Sequence, residues 1–144
     1  MHDLPAVPAS VLFALLHTAG AAEAHLESRL ATIGLSVPKL AALTALREAG
    51  ESLPLGQLAE RLSCVKSNIT QLVDRLEADG FVKRLADPAD RRTRLAVLTG
   101  AGRTACDEGA RLRDAAAAEL VGGISADEAR QLAGLIAKID RGTG

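Results

Sequence analysis

The stretch from residue 55 to residue 99 constrains the fold more than any other part of this chain. Leu55, Leu58, Ala59 and Leu62 fall 3, 1 and 3 apart, which puts them on one face of a short helix. Ser63 offers an N-cap for a second helix running to about Ala78. That helix has its apolar face at Val65, Ile69, Leu72, Val73 and Leu76, and Gly80 ends it. Two helices this short, with a turn between them, predict a helix-turn-helix. The chain then reads FVKRL at Phe81–Leu85, DPAD at Asp87–Asp90 and RLAVL at Arg94–Leu98. Two strand-like runs around a turn signal predict a β-hairpin. A helix-turn-helix that runs straight into a charged hairpin is a winged helix.

Helices flank this unit on both sides. Leu12, Leu15, Leu16, Leu26 and Leu30 form a stripe from Val11 to about Ala31, with Pro8 just before it and Ser10 as a cap. Ser36 caps the next helix, to Ala49, with Pro38 in its first turn and Leu40, Ala42, Leu43 and Leu46 on its apolar face. Thr99 caps a long helix from Gly100 to about Val121. Ser125 caps a last one through Ile139, striped by Leu132, Leu135, Ile136 and Ile139. The expected architecture is mainly α: a winged helix-turn-helix with a two-stranded wing at 36–99, an N-terminal dimerisation helix at 1–35 and C-terminal dimerisation helices at 100–144. The stripes at both ends exceed what so small a central unit can cover, which predicts a second copy of the chain.

Composition removes several classes of function. Phe13 and Phe81 are the only aromatics, so readers that stack bases on aromatic platforms are excluded. Two cysteines, Cys64 and Cys106, cannot supply a disulfide framework or a four-thiolate zinc site. No glycine-rich phosphate loop, zinc-ligand pair or Ser/His/Asp set stands out, so an enzyme is not expected, and no cofactor or metal is implied. The N-terminus lacks the positive charge of a signal peptide. No apolar run is read as reaching the length of about 20 residues that spans a bilayer. The expectation is a cytoplasmic protein with no membrane partner.

Net charge is −1, from 17 basic and 18 acidic side chains, so nothing global announces nucleic acid. The distribution does. Residues 54–103 hold nine basic and six acidic side chains, and the flanks carry the acidic excess. Opposite its apolar stripe the second helix presents Lys66, Ser67, Asn68, Thr70, Gln71, Asp74 and Arg75. An ordinary exposed face favours Glu, Lys and Arg for helix propensity. Ser, Thr, Asn and Gln instead suit base edges, and Asn or Gln pairs bidentately with adenine. On the hairpin, Lys83 and Arg84 precede the turn and Arg91, Arg92 and Arg94 follow it. These cations suit a wing lying along the DNA backbone with its tip at a minor groove. Asp90 beside them is expected to orient a guanidinium. The bland alternatives are a solvated helix face and a hairpin edge guarded by charge.

The run ITQLVDRLEADGFVKRLADPADRRTRLAVLTGAGR resembles the MarR family of bacterial winged helix-turn-helix regulators. The matching elements are Leu72–Glu77, Gly80–Arg84, Asp87–Arg92, then Leu98, Thr99 and Gly102. The terminal segments are similar in helix layout only. The resemblance implies a homodimer on pseudo-palindromic double-stranded operator DNA, usually a repressor relieved by a small-molecule effector. It implies DNA contacts from Lys66, Ser67, Asn68, Thr70 and Gln71 and from Arg91, Arg92 and Arg94 of the wing, with Asp90 as orienter; Arg75 on the helix face and Lys83 on the hairpin join them as candidate contacts. Gln71 stands where the family often has Arg, and Asn68 where a smaller residue is common.

Three further readings stay open at this point. Cys64 sits at a helix N-terminus beside Lys66, a setting that favours thiolate and a redox-responsive regulator, or it is a half-buried filler. The fold could also serve as a protein-interaction module without DNA, although that leaves the arginines of the wing without a purpose. His17 and His25, eight apart on the first helix, stand either as ligands or as ordinary polar positions.

Overall fold

A computed structural model of the chain describes residues 3–63 and 66–143. The order is α1 (Asp3–Ala31), α2 (Val37–Glu48), β1 (Ser52–Pro54), α3 (Leu55–Leu62), α4 (Lys66–Ala78), β2 (Val82–Ala86), β3 (Arg94–Leu98), α5 (Gly100–Leu120) and α6 (Ala126–Thr143). The expected winged helix and its hairpin are both present.

Helix α2 is the hub. Ser36 Oγ accepts from the Lys39 amide at 3.2 Å, and Glu27 of α1 accepts from the Val37 amide, so two side chains serve one helix start. Leu40, Ala42, Leu43, Ala45 and Leu46 are all buried. Around them pack Leu30 of α1, Leu58 of α3, Ile69, Val73 and Leu76 of α4, and Val82 and Leu98 of the hairpin. One continuous apolar core thus fixes the helix-turn-helix against both the wing and the long helices. Cys106 lies buried in that core, consistent with packing.

Four features differ from the sequence expectation. First, α1 begins at Asp3 and carries Pro8 inside it, rather than starting after that proline. Proline removes one ladder hydrogen bond and usually marks a boundary, which is why the sequence pointed later. Second, Ser63 adopts a left-handed conformation (φ 55°) and closes α3 as its C-cap instead of opening α4. Third, Ser52–Pro54 forms a third strand, paired antiparallel with β3 through Leu53↔Ala96, giving sheet order β1-β3-β2. Three residues are too few to show a period, and Pro54 is tolerated because β1 is an edge. Fourth, α6 continues past Ile139 to Thr143, behind a capping box in which Ser125 and Glu128 exchange hydrogen bonds of 3.1 and 2.8 Å.

The membrane expectation also needs correction. Val7–Ala31 of α1 is long and apolar enough, by length and composition alone, to cross a bilayer. His17 and Gly20 interrupt the run without making it polar. The C-terminal part of this helix is committed elsewhere, since Leu30 is fully buried and Leu26 packs against the core. The N-terminal part is bare: Val11, Leu12, Phe13 and Leu16 are exposed, as are Leu132, Leu135, Ile136 and Ile139 of α6, which has no buried residue.

Candidate nucleic-acid interface

Helix α4 divides cleanly into two faces. Ile69, Leu72, Val73 and Leu76 are buried, while Asn68, Thr70, Gln71, Asp74 and Arg75 are exposed. Lys66 and Ser67 belong to its first turn by backbone. Cys64 lies outside the described residues. Among the side chains described, the exposed face combines the amides and hydroxyl of Asn68, Thr70 and Gln71 with one cation, Arg75, near its end.

The wing begins where Gly80 turns the chain out of α4 with φ +82°, a conformation that glycine adopts without strain. Strands β2 and β3 pair as Val82↔Leu98, Arg84↔Ala96 and Ala86↔Arg94, so these residues share the sheet face toward the core. Lys83 lies on the other face, opposite Val97. The loop at the tip is tied by its own aspartates. Asp87 Oδ1 accepts from the Ala89 amide at 2.9 Å. Asp90 Oδ1 accepts from the Arg92 amide and Oδ2 from the Thr93 hydroxyl, both at 3.1 Å. Asp90 therefore shapes the loop, and its expected pairing with a guanidinium is not formed among the described residues. Arg91, Arg92 and Arg94 are left exposed, and with Lys83 they take part in no ion pair among the described residues.

Arg84 behaves differently from its neighbours. Its guanidinium reaches back to α4, 2.6 Å from Asp74 Oδ1 and 2.8 Å from Glu77 Oε1. It also donates to the Thr70 carbonyl at 3.3 Å, and its own amide donates to Glu77 Oε2 at 3.2 Å. The sequence counted Arg84 among the free cations of the wing; the fold spends it on α4. The available signal was the pair Asp74 and Glu77, three apart and hence on one helix face, followed by a basic strand.

The root of the wing is equally fixed. Thr99 Oγ1 donates to the Gly80 carbonyl at 2.6 Å and accepts from the Gly102 amide at 3.0 Å. A Cβ on Gly102 would lie 2.0 Å from the Phe81 carbonyl oxygen, so α5 can approach the wing only through a glycine. Two further ion pairs tie α5 to the body: Arg47–Asp107 at 2.7 Å and Arg103–Glu51 at 2.8 Å.

Away from this face, a cavity of about 520 Å³ opens between α1, α2, α3 and α5, lined by Leu26, Val37 and Leu40, with Arg61, Arg113 and Glu48 as its charged groups. An adjoining space of about 330 Å³ extends along α1 and α5 past His25. His25 stands 3.0 Å from Glu119, which also pairs with Arg29. The Arg29 hydrogen bond is the main cause holding the Glu119 carboxyl below the usual carboxylate range. His17 is exposed on α1 and is not part of this cluster.

Residues 35–93 match the MarR family model. An uncharacterized HTH-type transcriptional regulator of Bacillus subtilis, YkoM, is 37% identical over 84 residues, covering 58% of this chain and 54% of that protein. The transcriptional activatory protein BadR of Rhodopseudomonas palustris is 38% identical over 72 residues, 49% of this chain and 41% of its own length. The chain thus spans about half the length of the curated relatives it matches. Among solved structures, a MarR variant from E. coli complexed with operator DNA superposes with a TM-score of 0.80 at 25% identity, over 95% of this chain and 96% of that one. The chain therefore resembles the MarR family in sequence over its winged domain, and it shares the fold of a MarR protein almost end to end.

Proposed function

We propose that this chain is a sequence-specific DNA-binding transcriptional regulator acting as a homodimer on pseudo-palindromic duplex DNA. One observation carries the proposal. An exposed helix face of amides and hydroxyls stands beside a hairpin whose exposed arginines are unspent. In this reading α4 enters a major groove, where Asn68 and Gln71 meet base edges and Lys66, Ser67, Thr70 and Arg75 meet bases or phosphates. The wing lies along the backbone, with Arg91, Arg92 and Arg94 at the flanking minor groove and Lys83 at phosphate. Asp90 serves as the loop's brace. The named relatives are transcriptional regulators, and none is an enzyme by name.

The dimer follows from the bare apolar faces of α1 and α6. Exposed patches of that kind on a small protein mark association sites. A second copy covers both faces while leaving the C-terminal part of α1 in its own core, which favours a soluble cytoplasmic dimer over a membrane anchor. Repression relieved by a small ligand fits the cavity between α1, α2, α3 and α5. It adjoins α3, so an occupant there pushes on the helix-turn-helix, and its two arginines suit an organic anion.

The test is a nuclease footprint on the region upstream of the chain's own gene. The expected result is two protected half-sites spaced by about 10 base pairs or a multiple of that. A single protected half-site, or protection without sequence preference, contradicts the proposal.

A further inference from the structure

We infer that Arg84 is a positioning residue: it fixes the angle between helix α4 and the wing, so that base reading and backbone holding engage the same duplex in register. The inference rests on the DNA-binding reading above and adds to it a role for a residue outside the contact surface. Arg84 stands on β2, on the sheet face toward the core, with its side chain 22% exposed. One guanidinium nitrogen is 2.6 Å from Asp74, the other is 2.8 Å from Glu77, and the Thr70 carbonyl is 3.3 Å away. The residue's backbone amide adds a fourth link, to Glu77. These partners run over two turns of α4, from Thr70 to Glu77. A planar fork held at several points along a helix restrains its direction as well as its distance from the strand. Lysine, a single charge on a flexible stem, can restrain distance alone.

The remaining connections between these elements lie at one end. Gly80 and Phe81 link α4 to β2, and the Val82 side chain packs into the core beside Leu76. Strand β1 ties β3 into the sheet as far as Leu95, so without Arg84 the wing keeps that pairing but loses these side-chain ties along α4, and its tip projects beyond the sheet. Arg91 and Arg92 sit at that tip, so a small rotation at the root displaces them by the longest lever in the hairpin. Arg84 also neutralises Asp74 and Glu77, two carboxylates that would otherwise face the same duplex as Asn68 and Gln71. Positioning and neutralisation are separable by substitution.

The test uses Arg84→Met, Arg84→Lys and the triple variant Arg84→Met/Asp74→Asn/Glu77→Gln in the full chain, each checked for a wild-type melting transition. Operator and scrambled duplexes are titrated over a salt series. Arg84→Met is expected to reduce the operator-to-scrambled preference roughly tenfold, the size of the discrimination one base-reading side chain supplies, with an unchanged salt slope on scrambled DNA. The triple variant is expected to regain affinity for both duplexes without regaining the preference. Restoration of the preference in the triple variant reduces Arg84 to charge neutralisation and overturns the inference. A shallower salt slope on scrambled DNA for Arg84→Met makes it a phosphate-binding residue and also overturns it. Residual dipolar couplings of the α4 and β2–β3 amides, measured without DNA, provide the arm independent of the functional reading. A single alignment tensor is expected for wild type and two for Arg84→Met and Arg84→Lys. One shared tensor in Arg84→Met contradicts the inference, whatever the chain binds. A wild type that prefers no duplex instead counts against DNA reading alone.

Discussion

Helix α4 and the wing occupy one side of the molecule and are built from opposite materials. The exposed face of α4 carries the amides and hydroxyl of Asn68, Thr70 and Gln71, and its carboxylates Asp74 and Glu77 are held by Arg84. The wing exposes Lys83, Arg91, Arg92 and Arg94 and ties down its acidic residues by hydrogen bonds within its own loop. Short neutral groups discriminate among base edges, whereas arginines attract any phosphate. On the proposed reading, the contrast is a division of labour: α4 supplies sequence preference and the wing supplies affinity and salt sensitivity. It also explains a near-neutral protein, since three or four well-placed cations per protomer suffice when the acidic excess lies on other faces.

The largest effect is expected from stripping the wing. Arg91→Ala/Arg92→Ala/Arg94→Ala should weaken binding to every duplex, on the order of a hundredfold at moderate salt, and flatten the salt slope by roughly one unit for each phosphate left without its cation. Anisotropy titrations over a salt series measure both. An unchanged slope would break the comparison at its stronger side.

Gly102→Ala probes the joint between the two regions. The added methyl meets the Phe81 carbonyl, so α5 or the root of the wing must shift. We expect destabilisation of roughly 1–3 kcal/mol or more in chemical denaturation, the usual range for overpacking. Unchanged stability would mean that the joint is soft and cannot hold a wing angle.

Asn68→Ala or Gln71→Ala should leave the salt slope alone and lower discrimination between operator and scrambled duplex by roughly 1–3 kcal/mol. Equal weakening on both duplexes would move the base-reading role off those residues. The smallest effect concerns the tether between α1 and α5. Glu119 has its carboxyl depressed by Arg29, so its contribution to stability is complete above the unfolded-state value and fades as pH falls through the depressed folded-state value. Glu119→Gln should therefore narrow the stability difference between neutral and acidic solution, read from thermal unfolding across pH, while DNA discrimination at neutral pH stays unchanged.

Much of this was legible in the sequence because it is local. The period of Leu55–Leu62, the caps Ser36 and Thr99, and the DPAD turn each act within a few residues. Ser63 was misplaced because serine suits an N-cap by composition, whereas its left-handed φ is set by how α3 must stop. Strand β1 was invisible because it exists only by pairing with β3, more than forty residues later. Asp90 looked like a partner for arginine because arginines adjoin it; the turn's own amides are nearer and arrive at fixed geometry. Arg84 was grouped with the wing by sequence adjacency, yet the alternation of strand faces sends it to α4. Legibility ended wherever a side chain's partner was chosen by tertiary approach.

The most direct test of the account is the binding of the full chain to a duplex from upstream of its own gene, beside a scrambled duplex, at two salt concentrations. The account predicts tighter binding to the native sequence and a steep loss of affinity on both duplexes as salt rises. No binding to either duplex at low salt, or equal binding to both, would contradict it.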